Sequence, residues 1–486
     1  MIRRIIILSG LFALPFVGFT QTNDFTTQLD ATYATFKSDA FSHKRIKHHQ
    51  ILAELKRIEQ HKSLRIRQVG TSIEGRSLHL ISLGEGPIQI FLWSQMHGDE
   101  PTATQAIFDM LNFFEGKGFD AEKKKILSAA TIHFLPMLNP DGAEKFKRRN
   151  ALGIDVNRDA LMLQSPEAQT LKRVRDSLQA DFGFNLHDQS RYYNANRTAK
   201  PATISFLAPA YNYEKEINSV RANAMKVIVY MNALLQTIVP GQVGRYNDDF
   251  EPRAFGDNIQ KWGTSTILIE SGGTYNDSEK QTIRRLNYVA ILSSIYAIAT
   301  GEYKAMPLED YEKIPENDSK LFDLKITNLN YVLHNKSYVL DVGIKRNEID
   351  KEGHNSFYYK STIADQGDLS TYYGYETFDA RDYDIVPAKI DPIIYPAIAE
   401  LSAKEIWSKL QQGIGYVRVK TASTPMGNRT YIREVPETFT DEPVTIGPGK
   451  NPTFFLAKDG KLRFAFINGF LIDLQDPSQV PSLSKQ

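Results

Sequence analysis

The sequence predicts an α/β fold in which a mixed, mostly parallel sheet is covered by helices and is followed by a smaller, mainly-β domain. Short, continuous apolar runs alternate with longer segments of helical periodicity from residue 47 to residue 299. Apolar strands separated by helices are typical of a sheet that is buried on both faces. Near residue 303 the composition changes, because Gly301, Pro307 and Pro315 precede runs of strand composition. A chain of 486 residues is long enough for two domains.

The elements of the first domain follow from hydrophobic periodicity. A helix is predicted at residues 47–60, where Ile51, Leu52, Leu55 and Ile58 form one apolar stripe. Strands are predicted from short apolar runs at 64–68, 78–83, 88–94, 131–137, 182–186, 204–208 and 266–269. The other helices are predicted at 102–114, 165–178, 213–238 and 278–299.

The second domain is predicted from β-type runs and a turn signal. The runs lie at 322–329, 337–344, 415–419 and 453–474. The last run contains Asp459-Gly460, a dipeptide that favours a two-residue hairpin turn. No motif in this region indicates a chemical role.

The first twenty residues have the pattern of a secretory signal peptide. Arg3 and Arg4 precede a short apolar core, and small or polar residues lie before Gln21. The alternative is a membrane anchor, which the short apolar run disfavours. We predict a signal peptide at 1–20, an α/β domain at 21–303 and a β domain at 304–486. The protein is expected to be secreted or periplasmic, without stable membrane insertion after the signal is removed.

Charge and cysteine content exclude several classes of protein. The formal net charge is +1, and no basic stripe runs along the chain, so nucleic acid is not an expected partner. The chain has no cysteine, so disulfides do not stabilise the fold. The composition does not indicate an oligomeric state.

Four candidate site residues lie at or just after the ends of predicted strands. His97 and Glu100 follow the run at 88–94, His187 follows the run at 182–186, and Glu270 ends the run at 266–269. Ligands bind near the carboxyl ends of strands in such sheets, so we expect one shared site. Two histidines and one glutamate form a set that binds zinc and leaves one position open. The sequence therefore predicts one Zn²⁺ per chain, bound by His97, Glu100 and His187.

Several motifs occur in one characteristic order between residues 50 and 300. They are Gly70-x-Ser72-x-Glu74-Gly75-Arg76, His97-x-x-Glu100, Asn139-Pro140-Asp141-Gly142, Gly153-Ile154-Asp155-Val156-Asn157-Arg158, His187 and Glu270. Together they resemble the zinc carboxypeptidase family related to carboxypeptidase A. The resemblance implies a carboxypeptidase-like fold and a metallopeptidase that acts on peptides with a free C-terminal carboxylate.

The resemblance also implies a role for individual residues. Glu270 matches the catalytic glutamate of the family, and Arg148, rather than Arg149, occupies the place of its oxyanion-stabilising arginine. Asn157 and Arg158 match the residues that bind the substrate carboxylate. Asp155 matches a carboxylate that accepts a hydrogen bond from a zinc-binding histidine. Tyr246 is the candidate for the substrate-capping tyrosine.

Some positions depart from the family pattern or have simpler interpretations. Asp99 lies between the two ligands where the animal enzymes have arginine, and Asp257 lies in the segment expected to line the specificity pocket, where it would favour basic side chains. Arg158 beside Asp159 is also compatible with a surface ion pair. The Asn139–Gly142 segment is most simply a turn.

The predicted function is that of a zinc-dependent metallocarboxypeptidase with Glu270 as general base. One alternative is an amidase of the same family that acts on peptidoglycan stem peptides. The alternative from another class is a surface binding protein with a vestigial zinc domain.

Overall fold

The computed structural model describes residues 18–423, 425, 429–440 and 446–480. Residues 1–17 of the predicted signal peptide lie outside this part of the chain. The helices are α1 (Gly18–Phe36), α2 (His48–Ile58), α3 (Thr102–Glu115), α4 (Asp120–Ala129), α5 (Pro140–Glu144), α6 (Pro166–Leu178), α7 (Ser219–Ile238), α8 (Phe255–Lys261), α9 (Gln281–Thr300) and α10 (Ala403–Gln411).

The strands of the first domain and its junction are β1 (Arg65–Thr71), β2 (Ser77–Leu83), β3 (Ile88–Ser94), β4 (Ala130–Leu135), β5 (Phe182–Asp188), β6 (Asn194–Ala195), β7 (Ile204–Leu207), β8 (Val243–Arg245), β9 (Ser265–Ser271) and β10 (Asn317–Asp318). The later strands are β11 (Leu321–Leu333), β12 (Lys336–Asp350), β13 (Phe357–Gly367), β14 (Tyr373–Asp379), β15 (Asp384–Pro387), β16 (Lys389–Tyr395), β17 (Ile414–Val419), β18 (Arg433–Pro436), β19 (Phe454–Lys458), β20 (Lys461–Ile467) and β21 (Phe470–Asp473).

The first domain is built on a mixed eight-stranded sheet with the order β1-β2-β4-β3-β5-β9-β7-β8. The central strands β4, β3, β5 and β9 run parallel to one another. The pairings β1–β2, β2–β4 and β7–β9 are antiparallel. The predicted fold class is confirmed.

Both faces of this sheet are buried. In β3, Ile90 and Leu92 belong to one hydrophobic core, whereas Phe91 and Trp93 belong to another. Residues of α3, α7 and α9 complete the first core, and residues of α6 and α8 complete the second. The continuous apolar run of this strand therefore reflects burial on both sides, as expected for a parallel strand between helical layers.

The helix predicted at 213–238 begins later than its apolar pattern indicates. The structure starts α7 at Ser219, because the Asn218 side chain accepts a hydrogen bond from the Arg221 amide and caps the helix. Among the described residues, no helix is both long enough and apolar enough to cross a membrane.

The C-terminal region is mainly β, with a large sheet in the order β13-β12-β11-β15-β19-β20-β21 and β14 paired to β11. A second sheet contains β16, β17 and β18. The predicted turn joins β19 to β20, where Asp459 and Gly460 both have the positive φ that a type I′ turn requires.

The residues between the two domains pack onto the first one. Tyr311 and Ile314 are buried in the core of the α/β domain, and the Tyr311 hydroxyl accepts a hydrogen bond from the Ala208 amide. The short strand β10 then pairs with β6. We therefore propose a domain boundary near β10, rather than at residue 304.

Candidate active site

The candidate site lies at the carboxyl ends of β3, β5 and β9. His97 and Glu100 follow β3, while His187 lies in β5 and Glu270 lies in β9. His187 and Glu270 are register partners in the parallel pair β5–β9. These three strands are neighbours in the sheet, so residues far apart in sequence meet at one edge.

Three side chains converge as a potential metal site. One nitrogen of His97, one nitrogen of His187 and one oxygen of Glu100 all lie within 4.8 Å of one another, and all three residues are buried. The Nδ1 atoms of the two histidines are 3.2 Å apart. The Glu100 carboxylate is 2.9 Å from His97 Nδ1 and 2.7 Å from His187 Nδ1.

This donor set fits zinc in both chemistry and spacing. Two imidazole nitrogens and one carboxylate leave a tetrahedral zinc with one open position. Tetrahedral donors about 2.0–2.1 Å from zinc are separated by about 3.3 Å. The donor atoms, which lie 2.7–3.2 Å apart, are therefore already close to this separation.

Asp155 and Arg148 hold His97 in position. The His97 Nε2–H donates to Asp155 Oδ1 at 3.1 Å, which leaves the Nδ1 lone pair directed to the metal site. Arg148 Nε donates to Asp155 Oδ2 at 3.0 Å. Burial opposes ionisation of Asp155, but its hydrogen bond to His97 and the charges of His97 and Arg148 hold its pKa well below the usual value.

The two neighbouring arginines have different environments. Arg148 Nη1 lies 3.4 Å from Glu100 Oε1, and the Arg148 side chain is 43% exposed. It is therefore open to a ligand beside the metal site. Arg149 instead donates from Nη1 to the carbonyl oxygen of Gly153.

The Asn139–Gly142 segment supports the site, although it contributes no reactive group. The Asn139 side chain caps α5 and also donates to the Arg148 carbonyl oxygen. Gly98 packs so closely on this segment that a Cβ atom would lie 2.1 Å from the Gly142 carbonyl carbon. Only glycine therefore fits at position 98, directly after His97, with this backbone path.

The turn before β2 is joined to the same segment. The hydroxyl of Ser72 and the guanidinium of Arg76 both donate to Asp141 Oδ1 at 2.7 Å, and the Glu74 amide donates to Asp141 Oδ2. The Gly70–Arg76 motif and the Asn139–Gly142 motif thus form one hydrogen-bonded unit.

Glu270 lies beside His187, its register partner in β5, in a desolvated position. Burial and the nearby charges of Glu100 and Asp188 raise its pKa well above the usual value, whereas His97 and Lys280 oppose this effect. A carboxylate with a raised pKa is suited to accept and return a proton near neutral pH.

The candidate carboxylate-binding residues lie next to an acidic side chain that sequence reasoning missed. Arg158 Nε lies 3.3 Å from Glu251 Oε2, so the alternative pair with Asp159 does not form. Asp159 instead accepts hydrogen bonds from the amides of Gln164 and Ser165. The Arg158 side chain remains 37% exposed.

Asn157 and Asp257 lie near Arg158. Asn157 accepts the Phe255 amide at Oδ1, which fixes its side chain and leaves the Nδ2 donors for another partner. Asp257 accepts the Glu251 amide, and burial raises the Asp257 pKa to about 7 despite the positive charge of Arg158. No pattern in the sequence indicated that Glu251 would join this group.

Two tyrosines that follow His187 have separate partners. The Tyr193 ring packs against the Tyr246 ring at a centroid distance of 5.9 Å. Burial, a hydrogen bond to Tyr193 and the charge of Glu270 raise the Tyr246 pKa, which places Tyr246 in electrostatic reach of the site. Tyr192 turns to the β domain, where its hydroxyl donates to Asp323.

Asp188 and Lys280 are further residues that were not predicted. Lys280 Nζ lies 3.0 Å from Asp188 Oδ2, and the Asp188 side chain is only 6% exposed. Asp188 directly follows His187 at the end of an apolar run. The same signal that identified Glu270 therefore also applied to this residue.

The fold and the site define an α/β protein with a buried cluster of two histidines and one glutamate, a potential metal site, at the carboxyl edge of its sheet. Residues 51–226 match the family model described as zinc carboxypeptidase. The predicted resemblance to the zinc carboxypeptidase family is confirmed over this segment of the chain. The match includes His97, Glu100 and His187, whereas Tyr246 and Glu270 lie beyond it.

Curated relatives match parts of the same region. Carboxypeptidase SOL1 of Arabidopsis thaliana is 28% identical over 179 residues, which cover 30% of this chain and 36% of that protein. Carboxypeptidase E of Caenorhabditis elegans is 28% identical over 113 residues, which cover 19% of this chain and 24% of that protein. The matched segment thus spans less than two fifths of either relative.

Solved structures also align with this domain. A metallo-carboxypeptidase from Burkholderia cenocepacia has 17% identity and a TM-score of 0.44, and the alignment covers 54% of this chain and 71% of that one. Carboxypeptidase A from Helicoverpa armigera has 15% identity and a TM-score of 0.41, with 58% of this chain and 81% of that one covered.

Proposed function

We propose that this chain is a zinc-dependent carboxypeptidase that hydrolyses the C-terminal bond of peptides. The observation that carries the proposal is the convergence of His97, Glu100 and His187 at the sheet edge that also holds Glu270. One zinc ion per chain would be held by the three converging side chains. Bound zinc would supply a Lewis acid that polarises the scissile carbonyl and acidifies a water molecule.

Glu270 is assigned the role of general base. Its carboxylate accepts a proton from the attacking water and passes it to the nitrogen of the leaving amine. Its desolvated position favours this exchange, because desolvation raises the pKa of the carboxyl group well above its usual value. The neighbouring ligand His187 lies opposite it in the sheet, so the base is held by a strand and not by a loop.

Arg148 is assigned to the charge that develops on the carbonyl oxygen. Its guanidinium is close to Glu100 and is partly exposed, so it can donate to an oxygen near the metal site. Asp155 orients this guanidinium and the His97 ring through the same carboxylate.

Arg158 and Asn157 are assigned to the free C-terminal carboxylate of the substrate. A guanidinium binds a carboxylate through two parallel hydrogen bonds, and Asn157 Nδ2 adds a further donor. Tyr246 is the proposed wall of this subsite. This recognition would make the enzyme an exopeptidase.

Export to the periplasm or the medium is part of the proposal and rests on the N-terminal signal pattern.

The test compares a peptide with its C-terminally amidated form on the zinc-loaded protein. We expect the free acid to lose one C-terminal residue, and the amide to be cut at least about 10-fold more slowly. Arg158→Gln should damage hydrolysis of the free acid, and the two changes together should cost less than their sum because they delete one interaction.

Arg253→Gln provides the matched control, because Arg253 also pairs with Glu251 but is not assigned to the substrate. This variant should retain the preference for the free acid. Equal cleavage of acid and amide at internal bonds would replace the carboxypeptidase proposal with an endopeptidase or amidase.

A further inference from the structure

A cavity of about 440 Å³ lies between the α/β domain and the β domain, beside the metal ligands. We call it the interdomain pocket. Its lining residues are Lys44, Asp99, Glu100, Phe146, Asp188, Gln189, Ser190, Arg191, Tyr192, Lys280, Arg346, Asn347 and Glu348. The volume is within the range of small-molecule sites, about 300–1,000 Å³. Glu100 connects the pocket to the metal site.

One wall of this pocket belongs to the β domain. Arg346, Asn347 and Glu348 lie in β12 and line the pocket opposite residues of the α/β domain. The wall is fixed by buried contacts across the domain interface. Lys44 Nζ lies 2.5 Å from Glu348 Oε1, and Arg45 pairs with both Glu348 and Asp350.

A second set of contacts holds the same strand. Asp323 is fully buried and accepts hydrogen bonds from the Tyr192 hydroxyl and from the Arg346 amide. Arg191 lies 2.9 Å from the same carboxylate. The pocket is therefore bounded by ordered side chains of both domains.

Every cation that lines the interdomain pocket already has a carboxylate partner among the described residues. The pairs are Lys44–Glu348, Arg191–Asp323, Lys280–Asp188 and Arg346–Glu376. Among the carboxylates that line the interdomain pocket, two oxygens in the described residues are left without a hydrogen bond. Asp99 Oδ1 and Asp188 Oδ1 are both buried and have no hydrogen-bond donor.

A buried acceptor without a donor destabilises the protein. A ligand that donates hydrogen bonds to these oxygens therefore gains more binding free energy than it would from an acceptor that is already hydrated. A primary ammonium group carries three N–H donors and a positive charge, which suits two carboxylates that line the same pocket. A carboxylate ligand would find no free cation in this pocket and would meet two additional negative charges.

We infer that the interdomain pocket binds a primary ammonium group of the substrate, upstream of the scissile bond, through Asp99 and Asp188. This inference rests on the proposed function. The residues assigned to the substrate carboxylate, Asn157 and Arg158, do not line the pocket, although the metal ligand Glu100 does. The ammonium group would therefore bind outside the subsite assigned to the C-terminal carboxylate.

Two chemical sources of this group are possible and are separated by the experiment. The first is the free α-amino group of a short peptide, and the second is an amino side chain before the scissile bond. The first arm compares a tripeptide with its N-acetylated form, with the same C-terminal residue. The second arm compares N-acetylated tripeptides that carry lysine or norleucine directly before the scissile bond.

The binding affinity of each peptide is measured by calorimetry on the full-length, zinc-loaded Glu270→Gln variant, so the result does not depend on turnover. We expect the ammonium-bearing peptide of at least one arm to bind about 10-fold or more tightly than its neutral counterpart. The same ratio should appear in kcat/KM of the wild-type enzyme. Asp188→Asn and Asp99→Asn should each reduce the ratio towards one.

The control is Asp176→Asn, which removes an equal charge from an exposed side chain on α6 and should leave the ratio unchanged.

Neutral and ammonium-bearing peptides of equal affinity in both arms would overturn the inference. If the neutral and ammonium-bearing peptides lose their C-terminal residue at equal rates, the ammonium site is refuted but the proposed carboxypeptidase function stands. Absence of C-terminal hydrolysis in all peptides would contradict the proposed function instead. If Asp188→Asn does not fold, Asp99→Asn and the wild-type ratios still decide the question.

Discussion

His187 and Glu270 lie directly opposite each other in the parallel strands β5 and β9. A proposed metal ligand and the proposed general base are therefore positioned by the same pair of strands. The two side chains have different tasks in this arrangement, so metal binding and proton transfer should be separable by substitution.

Glu270→Gln tests the proton-transfer role. The amide keeps the shape of the side chain but does not accept a proton at neutral pH. We expect near-stoichiometric zinc and a decrease in kcat of about 10²-fold or more, the usual range for a general base. Metal analysis and steady-state kinetics on the same sample check this. Turnover near that of the wild type in a zinc-loaded variant would contradict the assignment.

His187→Ala tests the metal site. Loss of one of three donors should reduce zinc content sharply, and a chelator should no longer change the melting temperature. Elemental analysis and thermal unfolding with and without chelator measure both effects. His61→Ala is the control, because His61 pairs with Glu115 at the surface. Equal zinc in the two variants would refute the ligand assignment.

Arg148 and Arg149 form a matched pair of neighbouring arginines. Arg148→Ala removes a donor next to the metal site and should lower kcat by about 10²-fold or more, as measured for single oxyanion donors. Arg149→Ala removes only a hydrogen bond to the Gly153 carbonyl, so its kcat should stay close to that of the wild type. Similar losses in both variants would mean that the assignment to Arg148 is wrong.

Asp257 should make stability depend on pH. Burial raises its pKa from 3.8 in the unfolded chain to about 7, so the folded protein binds more protons between these values. Stability from this group is therefore present at low pH and is lost as pH rises from 3.8 to 7.

We expect Asp257→Asn to stabilise the protein at pH 8 by on the order of 2 kcal/mol, and to have little effect near pH 4. Thermal unfolding across this pH range measures the difference. Asp249→Asn is the control, since that side chain is 77% exposed. A stabilisation that is independent of pH would show that the Asp257 charge is not its cause.

Truncation tests the domain boundary. A chain that ends after residue 318 keeps Tyr311 and Ile314 in the α/β core, whereas a chain that ends after residue 304 removes both. We expect the longer form to bind zinc and to melt at a higher temperature than the shorter form. Circular dichroism and metal analysis compare the two, and equal melting temperatures would place the boundary back at 304.

Hydrophobic pattern and spacing were sufficient to predict most of the α/β domain. The strands at 88–94 and 182–186 were found because burial on both faces requires continuous apolar residues. The start of α7 was placed too early, because the apolar pattern does not show that Asn218 caps the helix. The helix α4 was missed, because only Lys123 and Ile126 of its residues are buried and its apolar stripe is therefore weak.

The sequence by itself determined the fold class and the residues that converge at the metal site, because strand ends in an open α/β sheet share one edge. Only the tertiary structure decided that Glu251 faces Arg158 and that β12 forms a wall beside Glu100. It also decided which carboxylate oxygens remain without donors in the described residues. These features depend on contacts between segments about 90 to 300 residues apart, and local patterns of hydrophobicity and charge contain no information about such distant partners.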